Sequence, residues 1–225
     1  MQISKQLEIL LPALKEKLNP LGYEYVQGPP PRFRAVSEEL VTWINLELSE
    51  MAHQTTVTNF NICHKVVEDV ILQLGELPNM SRLDKYTSGK EFFETVVDRE
   101  NKQAFDTTVK GINNDDDLVE WKNSIITYIT DAGLQFVEYY SDLRNVLKKM
   151  DDLAKESDMK AWKHILGGGP TFVFRGLIIS KLCGDPGFDV KVKFMDENFA
   201  PEVPENWAAA YGNIKPMIFD LEKLY

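Results

Sequence analysis

The run Gly167-Gly168-Gly169-Pro170-Thr171 sets three glycines before a proline and a hydroxyl, residue types from which a phosphate-cradling loop can be built. Such a loop follows a GxxxxGK(S/T) pattern, in which backbone amides wrap the phosphates while the lysine and hydroxyl reach the outer phosphate and its magnesium ion. No lysine stands at the required place here. Pro170 removes one amide donor, and the segment in front of the glycines reads as helix where the loop needs a strand. Glycine stopping one helix in a left-handed conformation, with proline opening the next in its first turn, accounts for every residue of the run. The new helix N-terminus keeps only a generic capacity to attract an anion.

Metal chemistry finds no better footing. Asp115, Asp116 and Asp117 are consecutive, whereas calcium loops space their carboxylates at alternate positions around a glycine. Three acids in a first helical turn instead meet the positive end of the helix dipole. His53, His64, His164, Cys63 and Cys183 are the soft ligands available, and they show no CxxC, HxxxH or HExxH spacing. Cys63 and His64 are neighbours, so in a strand their side chains leave on opposite faces. That predicts a buried thiol and a surface imidazole. The sequence therefore names no catalytic residue, no metal ligand and no cofactor.

The most promising chemistry lies on one predicted sheet face. Arg32 and Arg34 share one side of a strand, Trp43, Asn45 and Glu47 one side of the next, and Asn59 and Asn61 one side of a third. Where register aligns them, two guanidinium groups, an indole, amides and a carboxylate converge. That mixture suits a protein interface, where Trp and Arg carry most binding energy. It also suits a small-ligand pocket, with Glu47 as its acid or base. A third reading has the helical part of the chain covering this face and Trp43 serving as core.

The elements that position these residues follow from periodicity. Ile3, Leu7, Leu10, Leu11, Leu14 and Leu18 mark an amphipathic helix ended by Asn19-Pro20, with a kink or new first turn at Pro12. RFRAV (32–36), LVTWINLEL (40–48) and TTVTNFNI (55–62) alternate as successive strands of an antiparallel meander. A helix with Val66, Val67, Val70, Ile71 and Leu74 ends at Gly75, and a loop runs through Pro78 and Gly89. EFFETVV (91–97) and AFDTTVKG (104–111) have strand character and complete the sheet. Thereafter the pattern is helical. One helix runs from Asn114 to Ile129, a second follows Gly133 through Met150, and a third leads from about Asp152 to the glycines. Thr171 to Leu182 is apolar nearly all round and predicts a buried helix. Residues 187–196 fit a short strand or one helix face equally, and one or two closing helices flank Pro216.

These elements predict an α+β fold: an N-terminal helix, an antiparallel sheet of about four to six strands, then a mainly helical C-terminal half. Residues 1–112 form the helix and sheet, and residues 113–225 the helical half packed on it, in one compact unit.

Composition narrows the partners. The 225 residues are 44% hydrophobic and 27% charged, with 35 acidic against 25 basic side chains and a net charge of −10. That field repels nucleic acid and anionic membrane surfaces and steers a basic protein toward the chain. The N-terminal MQISKQLEILLPALKEKL lacks the pattern of a signal peptide, and no run approaches the ~18 apolar residues that span a bilayer. The expectation is a cytoplasmic protein, monomeric or homodimeric, with no nucleic acid or membrane partner.

The steps Leu21-Gly22-Tyr23, Arg32-Phe33-Arg34, Ile44 to Ser49 (INLELS), Phe60-Asn61-Ile62 and Gly133 to Leu143 (GLQFVEYYSDL) together resemble a family of bacterial cytosolic α+β proteins built around an uncharacterised domain. The resemblance spans about the first two thirds of the chain, and residues from about 151 lie beyond it. It implies a cytosolic α+β domain, some similar proteins being immunity or interaction proteins beside bacterial toxins, and it transfers no site residue. The expected function is a non-catalytic protein–protein interaction module, immunity-like in character. The alternative is an enzyme or small-ligand binder that uses the polar sheet face.

Overall fold

The computed structural model describes residues 3–28, 31–49, 54–75, 77, 94–106, 112 and 114–225, with backbone alone at 3–5, 47–49 and 54–59. It is α+β: an N-terminal helix, an antiparallel sheet, and a mainly helical C-terminal half. Helix α1 (Ile3–Leu18) runs through Pro12, which sits on its exposed side, and buries Leu10, Leu14 and Leu18. Asn19–Leu21 closes it as a 3-10 turn, and Gly22, at φ 84°, sends the chain into the sheet.

Among the described residues the sheet has five strands in the order β1-β2-β3-β4-β5: Glu24–Val26, Arg32–Val36, Leu40–Ser49, Gln54–His64 and Val96–Val97. Strand β1 is too short for alternation to show, yet it pairs Tyr25 opposite Phe33, and their rings lie 5.5 Å apart. The three long strands sit where the alternation places them. The strand expected from AFDTTVKG is instead, as far as Asp106, the end of helix α3 (Glu100–Asp106). Asp98 decides this, because its carboxylate accepts both the backbone and the side-chain N–H of Asn101, each at 3.1 Å. That cap satisfies first-turn donors, and a Lys102–Asp106 ion pair one turn apart supports the helix. Residues 107–111, residues 91–93 of EFFETVV and the loop through Pro78 and Gly89 lie outside the described residues.

Helix α2 (Lys65–Leu72) leads to Gly75 at φ 74°. Helix α4 (Asp115–Thr127) begins as expected, with the Asn114 side chain accepting the Asp117 N–H at 2.9 Å. The expected break at Gly133 does not occur. A π-helical turn (Tyr128–Gly133) runs directly into α5 (Leu134–Tyr140), and the break falls at Asp142, which caps α6 (Leu143–Glu156) by accepting the Arg144 N–H at 2.9 Å. Gly133 is there for space: a Cβ on it would stand 1.8 Å from Cζ of Phe60.

The separate helix expected from Asp152 is also corrected. Asp152 belongs to α6, and Asp158 caps a short 3-10 helix (Met159–His164) that ends before the glycines. Gly168, at φ 68°, and Pro170 then turn the chain into α7 (Thr171–Leu182), buried nearly all round. Of residues 187–196, Gly187 precedes helix α8 (Phe188–Asn198) and the rest lie within it, and a single helix α9 (Glu205–Phe219) passes through Pro216.

Contacts divide the chain into two units: Met1–Ile62 with Asp98–Tyr139, and Cys63–Val97 with Tyr140–Tyr225. The first gathers its core from α1, the sheet and α4, with Phe33, Ile44, Phe60 and Ile125 fully buried. The second is centred on α7, against which α2, α6, α8 and α9 pack. There Trp162 lies over Gly176, and Phe174 meets Trp207 and Tyr211. Among the described residues, no helix is long and apolar enough to cross a membrane.

The close approaches make a direct prediction. A Cβ on Gly176 would stand 2.2 Å from the Trp162 indole. Gly133→Ala and Gly176→Ala should each lose roughly 1–3 kcal/mol in urea unfolding through overpacking. Gly169→Ala, with no atom within 4 Å of the new methyl, should stay within about 0.5 kcal/mol of the parent.

Candidate functional site

The expected sheet face does assemble. In the β2/β3 register Arg34 faces Trp43 and Arg32 faces Asn45. Both guanidinium groups stack on the Trp43 indole, at 4.7 Å for Arg32 and 4.8 Å for Arg34. Delocalised guanidinium groups tolerate this position because the ring quadrupole offsets part of their lost hydration. The stack is covered, with Trp43, Asn45 and Arg32 all under a tenth exposed and Asn61 buried. Arg34 is half-buried. Burial, and secondly the Arg34 charge, pushes the Arg32 pKa down. The Asn45 Oδ1 atom is buried without a hydrogen-bond partner. The side chains of Glu47 and Asn59 lie outside the described residues, as does His53. The described part of this face can orient an anion or brace the sheet.

The second unit holds a polar cluster that periodicity does not reveal. Glu68 on α2 is fully buried, and Arg175 on α7 grips it through two bonds: Nε donates to Oε1 at 2.7 Å and Nη2 to Oε2 at 2.8 Å. The Thr95 hydroxyl donates to Glu68 Oε1 at 2.7 Å and accepts the His64 backbone N–H at 2.9 Å. Arg175 Nη1 donates to the Gly167 carbonyl at 2.9 Å and to the Thr171 hydroxyl at 2.5 Å. Two residues of the glycine run therefore serve this pair directly. A Cβ on Gly167 would lie 2.1 Å from the Glu94 carbonyl oxygen, so glycine is required by close backbone approach. One signal in the sequence does point here: Arg175 is a charge inside an otherwise apolar helix, and a buried charge needs a buried partner.

His64 is a correction. It is buried, not on the surface, because as the last strand residue it turns inward and its Nε2 donates to the Tyr140 carbonyl at 2.9 Å. Burial lowers its pKa to about 4, against the raising effect of that hydrogen bond and of Glu68 and Asp142. Cys63 is buried as expected, and burial, then the Glu68 charge, pushes its thiol pKa far up. A neutral imidazole bonded to a carbonyl and a protonated thiol form no nucleophile–base pair. Lys191 is equally committed, with Asp151 at 2.5 Å and Asp185 at 2.6 Å. Among the described residues, no group of His, Cys, Asp and Glu is arranged to hold a metal ion.

The first unit carries an open groove of about 580 Å³ between α3 and the α4/π-helical segment. Asn101, Phe105, Glu120, Asn123, Tyr128 and Asp131 line it with smaller residues, none of the described ones basic. Phe105 and Tyr128 stack at 4.4 Å as its aromatic side. The Tyr128 hydroxyl is buried with no hydrogen-bond partner. Burial first, and the Asp98 and Asp106 carboxylates next, push the Tyr128 pKa up, so the phenol stays neutral. Sequence reading missed this groove because Glu120, Asn123, Thr127 and Asp131 look like an ordinary solvated helix face. No family model, curated protein or solved structure matches the chain.

Two predictions follow from the second unit's cluster. Removing one partner of the buried pair, as in Arg175→Met or Glu68→Gln, should cost roughly 3–5 kcal/mol in denaturant unfolding, while Glu68→Leu with Arg175→Met should recover a large part of it. For His64 the unfolded pKa is about 6.5, above the folded value of about 4. Protons then bind the unfolded chain first as pH falls. The stability is fully present above pH ~6.5 and falls by roughly 3 kcal/mol as pH drops toward 4. His64→Gln should flatten that part of a pH series of urea midpoints.

Proposed function

We propose that this is a cytoplasmic, non-catalytic interaction protein of the immunity type that binds a basic protein partner. The observation that carries the reading is the commitment of the described buried reactive groups to internal structure. His64 is bonded to a carbonyl, Cys63 is held as a thiol, and Glu68 is gripped by Arg175. The net charge of −10 supports it, because that field raises the encounter rate with a cationic partner and disfavours nucleic acid. The resemblance of its motifs to a bacterial cytosolic α+β family, some similar proteins of which are immunity or interaction proteins, supports the same class.

A second reading is favoured by one feature. Two guanidinium groups on the Trp43 indole are suited to orient an anionic small molecule. Affinity capture from the native cytosol at low and high salt, with mass spectrometry of proteins and small molecules, separates the two. The expected result is a stoichiometric basic protein, retained at low ionic strength and released as salt screens the charges. Capture of an anionic metabolite instead, lost in Arg34→Ala, would sink the first reading in favour of the second.

A further inference from the structure

We draw no further inference here: the strongest candidate, the open groove between α3 and the α4/π-helical segment, carries none because nothing in the structure shows what covers it.

Discussion

A carboxylate and a guanidinium shut away from water must be satisfied completely or not exist, and the second unit is arranged around that requirement. Glu68 and Arg175 join two helices that are far apart in sequence, and every remaining polar contact of the pair is supplied by a residue whose position then becomes constrained. Thr95 must stand where its hydroxyl reaches Glu68, which puts strand β5 beside the last residue of β4 through the His64 N–H. Gly167 must bring its carbonyl to Arg175, which needs a backbone approach that no side chain permits. Buried ion pairs contribute little net stability against an apolar replacement of the same shape. Their effect is to select one arrangement, because any slip of α7 against α2 strands a charge.

The same economy explains why reactive residue types here are quiet. Cys63 and His64 sit within the low-dielectric surroundings of this pair, where the charged form of each is disfavoured. The glycine run, which in another setting cradles phosphate, spends Gly167 and the following hydroxyl on Arg175. The first unit uses its charges differently. Arg32 and Arg34 are laid flat on Trp43, so their apolar faces are packed, while Glu120 and Asp131 border an open groove.

Local order in this chain is written in short-range patterns, and those patterns were legible. The leucines of α1, the alternation of β2 to β4, the Asn114 cap and the apolar circumference of α7 each follow from contacts within a few residues. The α+β class and the helix-stop reading of the glycines follow from them. Where periodicity misled, a specific local bond or contact had prevailed: Asp98 capped Asn101 and turned a strand-like segment into α3, and Gly133 stayed helical because Phe60 needed its space. A cap three residues upstream outweighs alternation at a few positions, and a glycine's role depends on what it touches.

What the sequence by itself determined was therefore the type and order of most elements, the acidic balance, and the convergence of Arg32, Arg34 and Trp43 once their strands paired. Tertiary structure alone decided that His64 is buried, that Glu68 and Arg175 meet, and that the polar strip from Glu120 to Asp131 borders a groove instead of open solvent. The physical reason is range. Helix and strand periods are set by neighbours a few residues away, whereas burial, desolvation and ion pairing depend on which distant segment occupies the adjoining space, and no residue's own identity records that.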